Sequence, residues 1–162
     1  MSGIISDNVA RSTGLIKAAS GGAAGKVLQC VTGSYSTEIQ QNTTSFVDAG
    51  LSVAITCATT SSKVLVIMHT TGLQGSNGHF SYWTIERQVD GGSDTNLGHA
   101  TLGLTHARGD AAFIGPASMI YLDSPSTTSE ITYFFQHRGS VSWTGSHYKS
   151  GKAIVTATEI GA

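Results

Sequence analysis

The glycine-rich run Gly21–Gly25, followed by Lys26, is the part of the sequence that comes closest to a chemical motif. A phosphate-binding loop needs its first glycine where Ser20 stands, and a Ser or Thr where Val27 stands. The run also precedes a predicted strand, whereas a phosphate loop opens a helix whose N-terminal amides point at the anion. The sequence therefore does not predict a nucleotide site.

Six histidines are enough to build a metal site, but their spacing does not favour one. No two of them are closer than seven residues, so ligands would have to come from separate strands or subunits. His137 shares a predicted strand face with Tyr133 and Phe135, which favours a buried structural histidine over a ligand. We expect no metal and no cofactor. The six are His69, His79, His99, His106, His137 and His147.

Neither nucleophilic nor acid–base catalysis has a signature in this sequence. Serine is too abundant to be informative, and no Gly-x-Ser-x-Gly elbow occurs. Many of the ten acidic residues fall in predicted turns, where capping the backbone is their ordinary role. We expect no catalytic residues and a protein that is not an enzyme.

Aromatic side chains are the better candidates for contact with a partner. The consecutive residues Tyr133, Phe134 and Phe135 must point to alternate faces of a sheet, so at least one points away from the core. An outward aromatic on a polar protein typically marks a subunit interface or a ligand patch, and we favour the interface. The candidate ligand or subunit-interface aromatics are Trp83, Phe134, Trp143 and Tyr148.

Hydroxyl groups, and not charges, make this chain polar. Among its 162 residues are 21 Ser and 20 Thr, against 9 Lys and Arg and 10 Asp and Glu, for a net charge of -1. Nucleic acids and anionic membranes are bound by clustered basic residues, and no such cluster is present. No apolar run reaches the length of a signal peptide core or a membrane span. We therefore expect no nucleic-acid partner, no membrane insertion and synthesis in the cytoplasm.

Two cysteines are too few for a disulfide-stapled secreted domain. Cys30 and Cys57 both lie in strand-like runs, and free cysteine behaves as a small apolar residue. We expect two separate, reduced cysteines in the core. A single buried disulfide between them is the geometrically possible alternative.

The pattern after residue 25 predicts an all-β fold, an antiparallel β-sandwich of jelly-roll type with almost no helix. Residues 51–57 alternate apolar with small or polar side chains, as in a half-buried strand, whereas Val64–Met68 is a continuous apolar run that predicts a central strand covered on both faces. Phe80–Val89 alternates and leads into Asp90–Gly92, which is typical of a hairpin turn. Further strands are predicted at Val27–Tyr35, Asn96–Leu104, Ala111–Tyr121, Glu130–Arg138, Val141–Gly145 and Lys152–Ile160.

Residues 1–25 differ from the rest of the chain because small residues dominate them. Such a segment cannot hold a core by itself, so we predict an extended N-terminal arm over 1–25 that orders only against a neighbouring subunit or a larger assembly. The sandwich domain follows over 26–162. The arm residues expected to make assembly contacts are Ile4, Ile5, Val9, Arg11, Leu15 and Ile16.

Several stretches of turn and strand residues resemble a β-sandwich domain that is frequent in tailed phages, especially aquatic ones. These stretches are Gly25–Val31, Thr44–Ile55, Ser61–Val66 and Ile120–Ser129, and Asp7–Gly14 resembles the leader that often precedes the domain. The resemblance covers most of the chain in order. It implies a non-enzymatic, trimeric component of the virion.

In that family the domain commonly ends a long tail fibre, but here only 25 residues precede it and no shaft repeats occur. The expected function is therefore that of a capsid decoration or cement protein on the virion surface, made in the host cytoplasm. Its partners would be further copies of itself and the major capsid protein or other virion proteins. The alternative is a tail-fibre or appendage knob that binds a host-surface glycan through exposed aromatics such as Trp83 or Trp143.

Overall fold

Eleven β-strands and no helix make up the part of the chain that the computed structural model describes, which is residues 25–37, 39–41, 43–74, 78–108, 114–141, 145–146 and 152–162. The strands are β1 (Val27–Tyr35), β2 (Gln40–Gln41), β3 (Val47–Thr56), β4 (Lys63–Gln74), β5 (Phe80–Val89), β6 (Thr95–Asn96), β7 (Thr105–Arg108), β8 (Ile114–Asp123), β9 (Glu130–Gly139), β10 (Gly145–Ser146) and β11 (Ala153–Ile160).

Two antiparallel sheets pack face to face. The four-stranded sheet has the order β1-β11-β4-β8, and the five-stranded sheet has the order β3-β9-β5-β6 with β7 also paired to β5. The first and last long strands are neighbours, and most connections between long strands cross from one sheet to the other. This is the strand order of a jelly roll, so the predicted fold class is confirmed. Two short strands, β2 and β10, pair separately.

The core lies between the sheets and follows from the alternation of side chains along each strand. On β3, every second residue from Ala49 to Ile55 is buried, and the residues between them are exposed. The same period places Val64, Val66 and Met68 of β4 inward, in the same core cluster as the buried side chains of β9. Each fully buried aliphatic or aromatic side chain contributes about 1.5–3 kcal/mol relative to exposure.

One side of the sandwich is closed by close approach of β1 to β3. A side chain at Gly33 would overlap the carbonyl oxygen of Ser52. Gln29 Nε2 also donates to the Thr56 carbonyl oxygen at 2.6 Å. β1 and β3 therefore lie in direct contact at this edge of the sandwich.

A buried carboxylate ties the two sheets together. Asp123 ends β8 in the four-stranded sheet and is 4% exposed. Arg87 of β5 donates to both its oxygens at 2.8 and 3.0 Å, and Tyr133 of β9 donates its hydroxyl at 2.8 Å. Burial and the hydrogen bond to Asp123 raise the pKa of Tyr133 well above its ordinary value, so the phenol remains a donor at every physiological pH.

A second buried carboxylate, Glu159 of β11, organises the turn between β3 and β4. Burial acts to raise its pKa, but hydrogen bonds from Gln29, Ser62 and the Ala58 amide outweigh that effect and lower it. The Gln29 and Ala58 bonds measure 2.6 and 2.7 Å. The folded chain therefore stabilises the ionised form of the Glu159 side chain.

Most of the predicted strands and turns are confirmed. β1 and β5 have the predicted bounds, and Asp90 and Gly91 adopt positive φ in a hairpin turn closed by the Gly92 amide on the Val89 carbonyl at 2.9 Å. The predicted strand over Val141–Gly145 lies mostly outside the described residues.

The prediction of one strand over Asn96–Leu104 is wrong. After the two residues of β6, the chain turns back on itself, with reciprocal backbone hydrogen bonds between His99 and Gly103. The His99 ring accepts from the amides of Thr101 and Leu102, and Gly103 supplies a positive φ. Side-chain capping and one glycine therefore replace strand pairing here.

We predict that the unfolding free energy falls with acid because of Glu159. Its folded-state pKa lies below the ordinary value of 4.5, so its contribution is complete above pH 4.5 and is lost as the pH falls through the folded pKa. Glu159→Gln should cost about 1–3 kcal/mol at pH 7 and flatten the acid dependence. Chemical denaturation between pH 3 and pH 7 measures both.

The matched control is Glu130→Gln, at an exposed position of β9. It should change the unfolding free energy at pH 7 by less than about 0.5 kcal/mol. Equal acid dependence in the wild type and in Glu159→Gln would contradict this account of the turn.

Candidate functional site

The outward side of the four-stranded sheet carries a cluster of apolar residues in register. Leu65 and Ile67 of β4 lie directly opposite Leu122 and Ile120 of β8. Ile154 of β11 lies one row further along the sheet, opposite His69. We call these five residues, Leu65, Ile67, Ile120, Leu122 and Ile154, the apolar face.

The apolar face is well exposed. The exposed fractions are 67% for Ile120, 50% for Leu122, 43% for Ile154 and 40% for Ile67. The prediction that the run Val64–Met68 is covered on both faces is therefore wrong. The strand is central in its sheet, but only its inward residues pack against the other sheet.

Uncharged residues surround the apolar face. Its neighbours across β11 and β1 are Thr156, Thr158, Thr32 and Cys30. Among the described outward-facing residues of these four strands, only Lys63, at the start of β4, carries a full charge. Contiguous apolar surface without interspersed charge is typical of a surface that is covered by another molecule.

A second outward feature lies on the five-stranded sheet, where Tyr82 of β5 sits between basic and aromatic neighbours. It pairs with His106 of β7 on one side and Arg138 of β9 on the other. The Arg138 guanidinium lies 4.9 Å from the Tyr82 ring centroid and 5.7 Å from that of Phe46. Phe80 stacks on Tyr82 with centroids 6.1 Å apart and an interplanar angle of 21°. We call these five residues the aromatic-arginine cluster.

The aromatic-arginine cluster combines flat rings with a cation. Exposed aromatic rings can stack on the apolar face of a sugar, and a guanidinium offers several hydrogen-bond donors. Phe80 is 36% exposed and marks the accessible end of the cluster. The arrangement suits binding and contains no nucleophile paired with a base.

The structure separates the candidate aromatics named from the sequence. Trp83 is 3% exposed and packs against the ring of His137, so the prediction that Trp83 is an exposed aromatic is wrong. Trp83 points inward because β5 places Tyr82 outward, and neighbours in a strand alternate. Phe134 is half-buried on the outward side between Ser52 and Glu86, as expected for the middle residue of Tyr133–Phe135.

Several sequence-predicted site residues lie outside the described residues. These are Trp143 and Tyr148 among the aromatics, and the arm residues Ile4, Ile5, Val9, Arg11, Leu15 and Ile16. The apolar face, in contrast, was not predicted. The apolar run Val64–Met68 could have indicated it, because an antiparallel sheet can leave one of its faces uncovered. From the sequence we instead predict that both faces of this strand are covered.

Titratable groups in the described part of the chain do not gather into a metal-binding cluster. His137 is 1% exposed, which confirms the predicted buried position. None of the described residues belongs to a helix that could cross a membrane.

The cysteines are both free but differ in environment. Cys57 is buried, and burial together with the charges of Glu159 and Asp123 raises its pKa. Cys30 is exposed on the outward side of β1, beside Thr158, so the prediction that it belongs to the core is wrong. Its row of the sheet continues through Leu65 and Leu122, which places a thiol at the border of the apolar face.

We predict that the two thiols are modified at very different rates. In a Cys57→Ser variant at low protein concentration, Cys30 should react with an alkylating reagent at pH 8 without unfolding. In a Cys30→Ser variant, Cys57 should react only as fast as the chain unfolds, because thiolate is the reactive form and the thiol is inaccessible. Mass spectrometry of timed samples measures both rates, and rapid modification of native Cys57 would contradict the prediction.

Comparison with solved structures finds a distant structural similarity. No protein-family model matches the chain, and no curated protein sequence matches it. A solved structure described as "Structure of infectious bursal disease virus Gx strain" superposes with a TM-score of 0.41 and 14% sequence identity. The match covers 84% of this chain and 32% of that chain, so this chain spans about a third of the length of the structure it matches.

Proposed function

We propose that this chain is a non-enzymatic structural protein of a virus particle, a trimeric decoration protein held on the capsid by residues 1–25. The observation that carries the proposal is the apolar face. It forms part of an ordered sheet, it is uncharged, and it is exposed when the sandwich stands alone. A surface of this kind is used for assembly with other subunits.

Two further features support the proposal. The sequence resembles a sandwich domain of tailed-phage virions. The composition, with 41 hydroxyl residues against 19 charged ones, suits a protein displayed on the outside of a particle. The partners are further copies of the chain and the major capsid protein, and the place of action is the virion surface after synthesis in the host cytoplasm.

We predict that removing residues 2–24 abolishes incorporation into particles. Every residue of the core described above belongs to the sandwich domain, so we expect the truncated chain to retain the β-sheet circular dichroism of the full chain. Particles are purified from cells that make the major capsid protein together with either chain, and bound copies are counted by quantitative mass spectrometry. Hundreds of copies per particle are expected for the full chain and almost none for the truncated one.

A full-chain variant separates loss of the arm from loss of the fold. Ile4→Asp combined with Ile5→Asp should reduce incorporation as strongly as the truncation. The matched control, Ser2→Asp combined with Ser6→Asp, adds equal charge without removing apolar surface and should load normally. A truncated chain that still loads fully would show that residues 1–25 are not the anchor.

The aromatic-arginine cluster favours one alternative, an appendage knob that binds a host-surface glycan. On this alternative the protein would be present in a few copies per particle, at a tail. A glycan array probed with the purified chain should then show binding that Tyr82→Ala removes and that Thr132→Ala, on the same sheet face, preserves. Trp143→Ala tests the predicted aromatic that the structure does not describe, and a uniformly blank array contradicts the alternative.

A further inference from the structure

The apolar face is too small to join two copies of the sandwich by direct face-to-face packing. Four strands about 4.8 Å apart, each eight to twelve residues long, present a surface on the order of 600 Å². A stable interface buries about 800 Å² on each partner. The face therefore fits a narrower occupant, such as an extended peptide, better than a second flat sheet.

The chain itself contains a segment with suitable chemistry. Residues 1–24 carry two apolar pairs, Ile4-Ile5 and Leu15-Ile16, with Val9 between them, and only three charged side chains. The core described above is built by later residues of the chain. Apolar side chains spaced along an extended segment match an uncharged, apolar sheet surface.

The described part of the chain begins at Gly25, which lies at the end of the β1–β11 pairing. The Gly25 amide donates to the Gly161 carbonyl at 2.6 Å, and the Gly161 amide donates to the Lys26 carbonyl at 2.9 Å. These bonds continue the β1–β11 pairing beyond Val27, so residue 25 lies at the end of the four-stranded sheet. Twenty-four extended residues reach at most about 80 Å, which is far enough to cross onto another copy.

We infer that the apolar face binds the part of residues 1–24 around Leu15 and Ile16 in a second copy of this chain, which leaves Ile4 and Ile5 for the capsid contact proposed above. The inference rests on the proposed function, because it names the partner of the face on which that function is based. The arm of one copy then provides the contact between subunits that direct packing of two apolar faces is too small to provide. If each subunit places its arm on the next subunit around a ring, the contacts are heterologous, and three subunits can close such a ring.

Cys30 provides a natural reporter for this contact. It is exposed at the border of the apolar face, in the same row as Leu65 and Leu122. The donor chain carries Leu15→Cys and Cys30→Ser, so its only accessible thiol is on the arm. The acceptor chain keeps Cys30 and has a natural arm without cysteine.

The two full-length chains, one with an affinity tag, are mixed and oxidised gently. A disulfide between donor and acceptor can form only between two copies, and we expect it in most of the donor chains. Acceptor Ile120→Glu, at an exposed position, should reduce the crosslink at least about tenfold, since it places a charge in the apolar face. Thr132→Glu, on the outward side of the other sheet, should leave the crosslink unchanged.

Three results would overturn the inference. One is the absence of a donor–acceptor disulfide. A second is a disulfide only within one chain, seen when Leu15→Cys and Cys30 are placed together, which would mean that the arm folds back on its own sandwich. A third is equal crosslinking to an acceptor that carries Thr132→Cys and Cys30→Ser, which would indicate random collision.

Particle loading distinguishes failure of this inference from failure of the proposed function. If donor and acceptor form no crosslink although the acceptor face is unchanged, and the wild-type chain loads onto capsids normally, the inference fails while the proposed function stands. If the wild-type chain does not load onto capsids at all, the proposed function fails whatever the crosslink shows.

Discussion

Neighbouring side chains of a β-strand point to opposite faces of its sheet, and this constraint organises both the interior and the exterior of the sandwich. On β4 it sends Val64 and Val66 into the core and leaves Leu65 and Ile67 outside. A strand that is apolar at every position therefore builds two apolar surfaces, of which the opposite sheet can cover only one. A slip of one residue would exchange the two surfaces, so the register that forms the core also places the apolar face.

Two buried carboxylates hold that register. Asp123 accepts hydrogen bonds from Arg87 and Tyr133, which belong to the opposite sheet. Glu159 accepts from Gln29 and from the turn that leads into β4. A buried carboxylate without its donors is costly, so a shift of either sheet would be penalised in proportion to the bonds it breaks. The outward rows on the four-stranded sheet consequently form a fixed surface, suited to a partner that needs a defined geometry.

The sequence predicted the fold where local pattern and tertiary environment agree. Strict alternation identified the strand that contains Leu51–Ile55, and Asp90-Gly91 identified a turn that requires positive φ. The predictions were wrong at positions where burial or backbone conformation depends on residues that are distant in the sequence or on another molecule. Whether Ile67 is covered depends on what lies over the sheet, and the turn at His99 depends on a ring that accepts backbone amides.

The candidate site was predictable only in part, for the same physical reason. Alternation placed Phe134 outward, but the choice between Tyr82 and Trp83 as the outward residue of β5 required knowing which face of that strand meets the core. Cys30 likewise alternates with inward residues on an edge strand, and sequence pattern does not show which of the two sets is covered.

The central claim is that the apolar face is covered by another copy of the chain in the working protein, and sedimentation velocity tests it most directly. The full chain should sediment as an oligomer of its 16.8 kDa protomer, with dissociation on dilution. A variant with Ile120→Glu and Leu122→Glu should sediment as a folded monomer, while Thr132→Glu remains oligomeric. A wild-type chain that is monomeric at every concentration, or an oligomer that the double variant leaves intact, would contradict the claim.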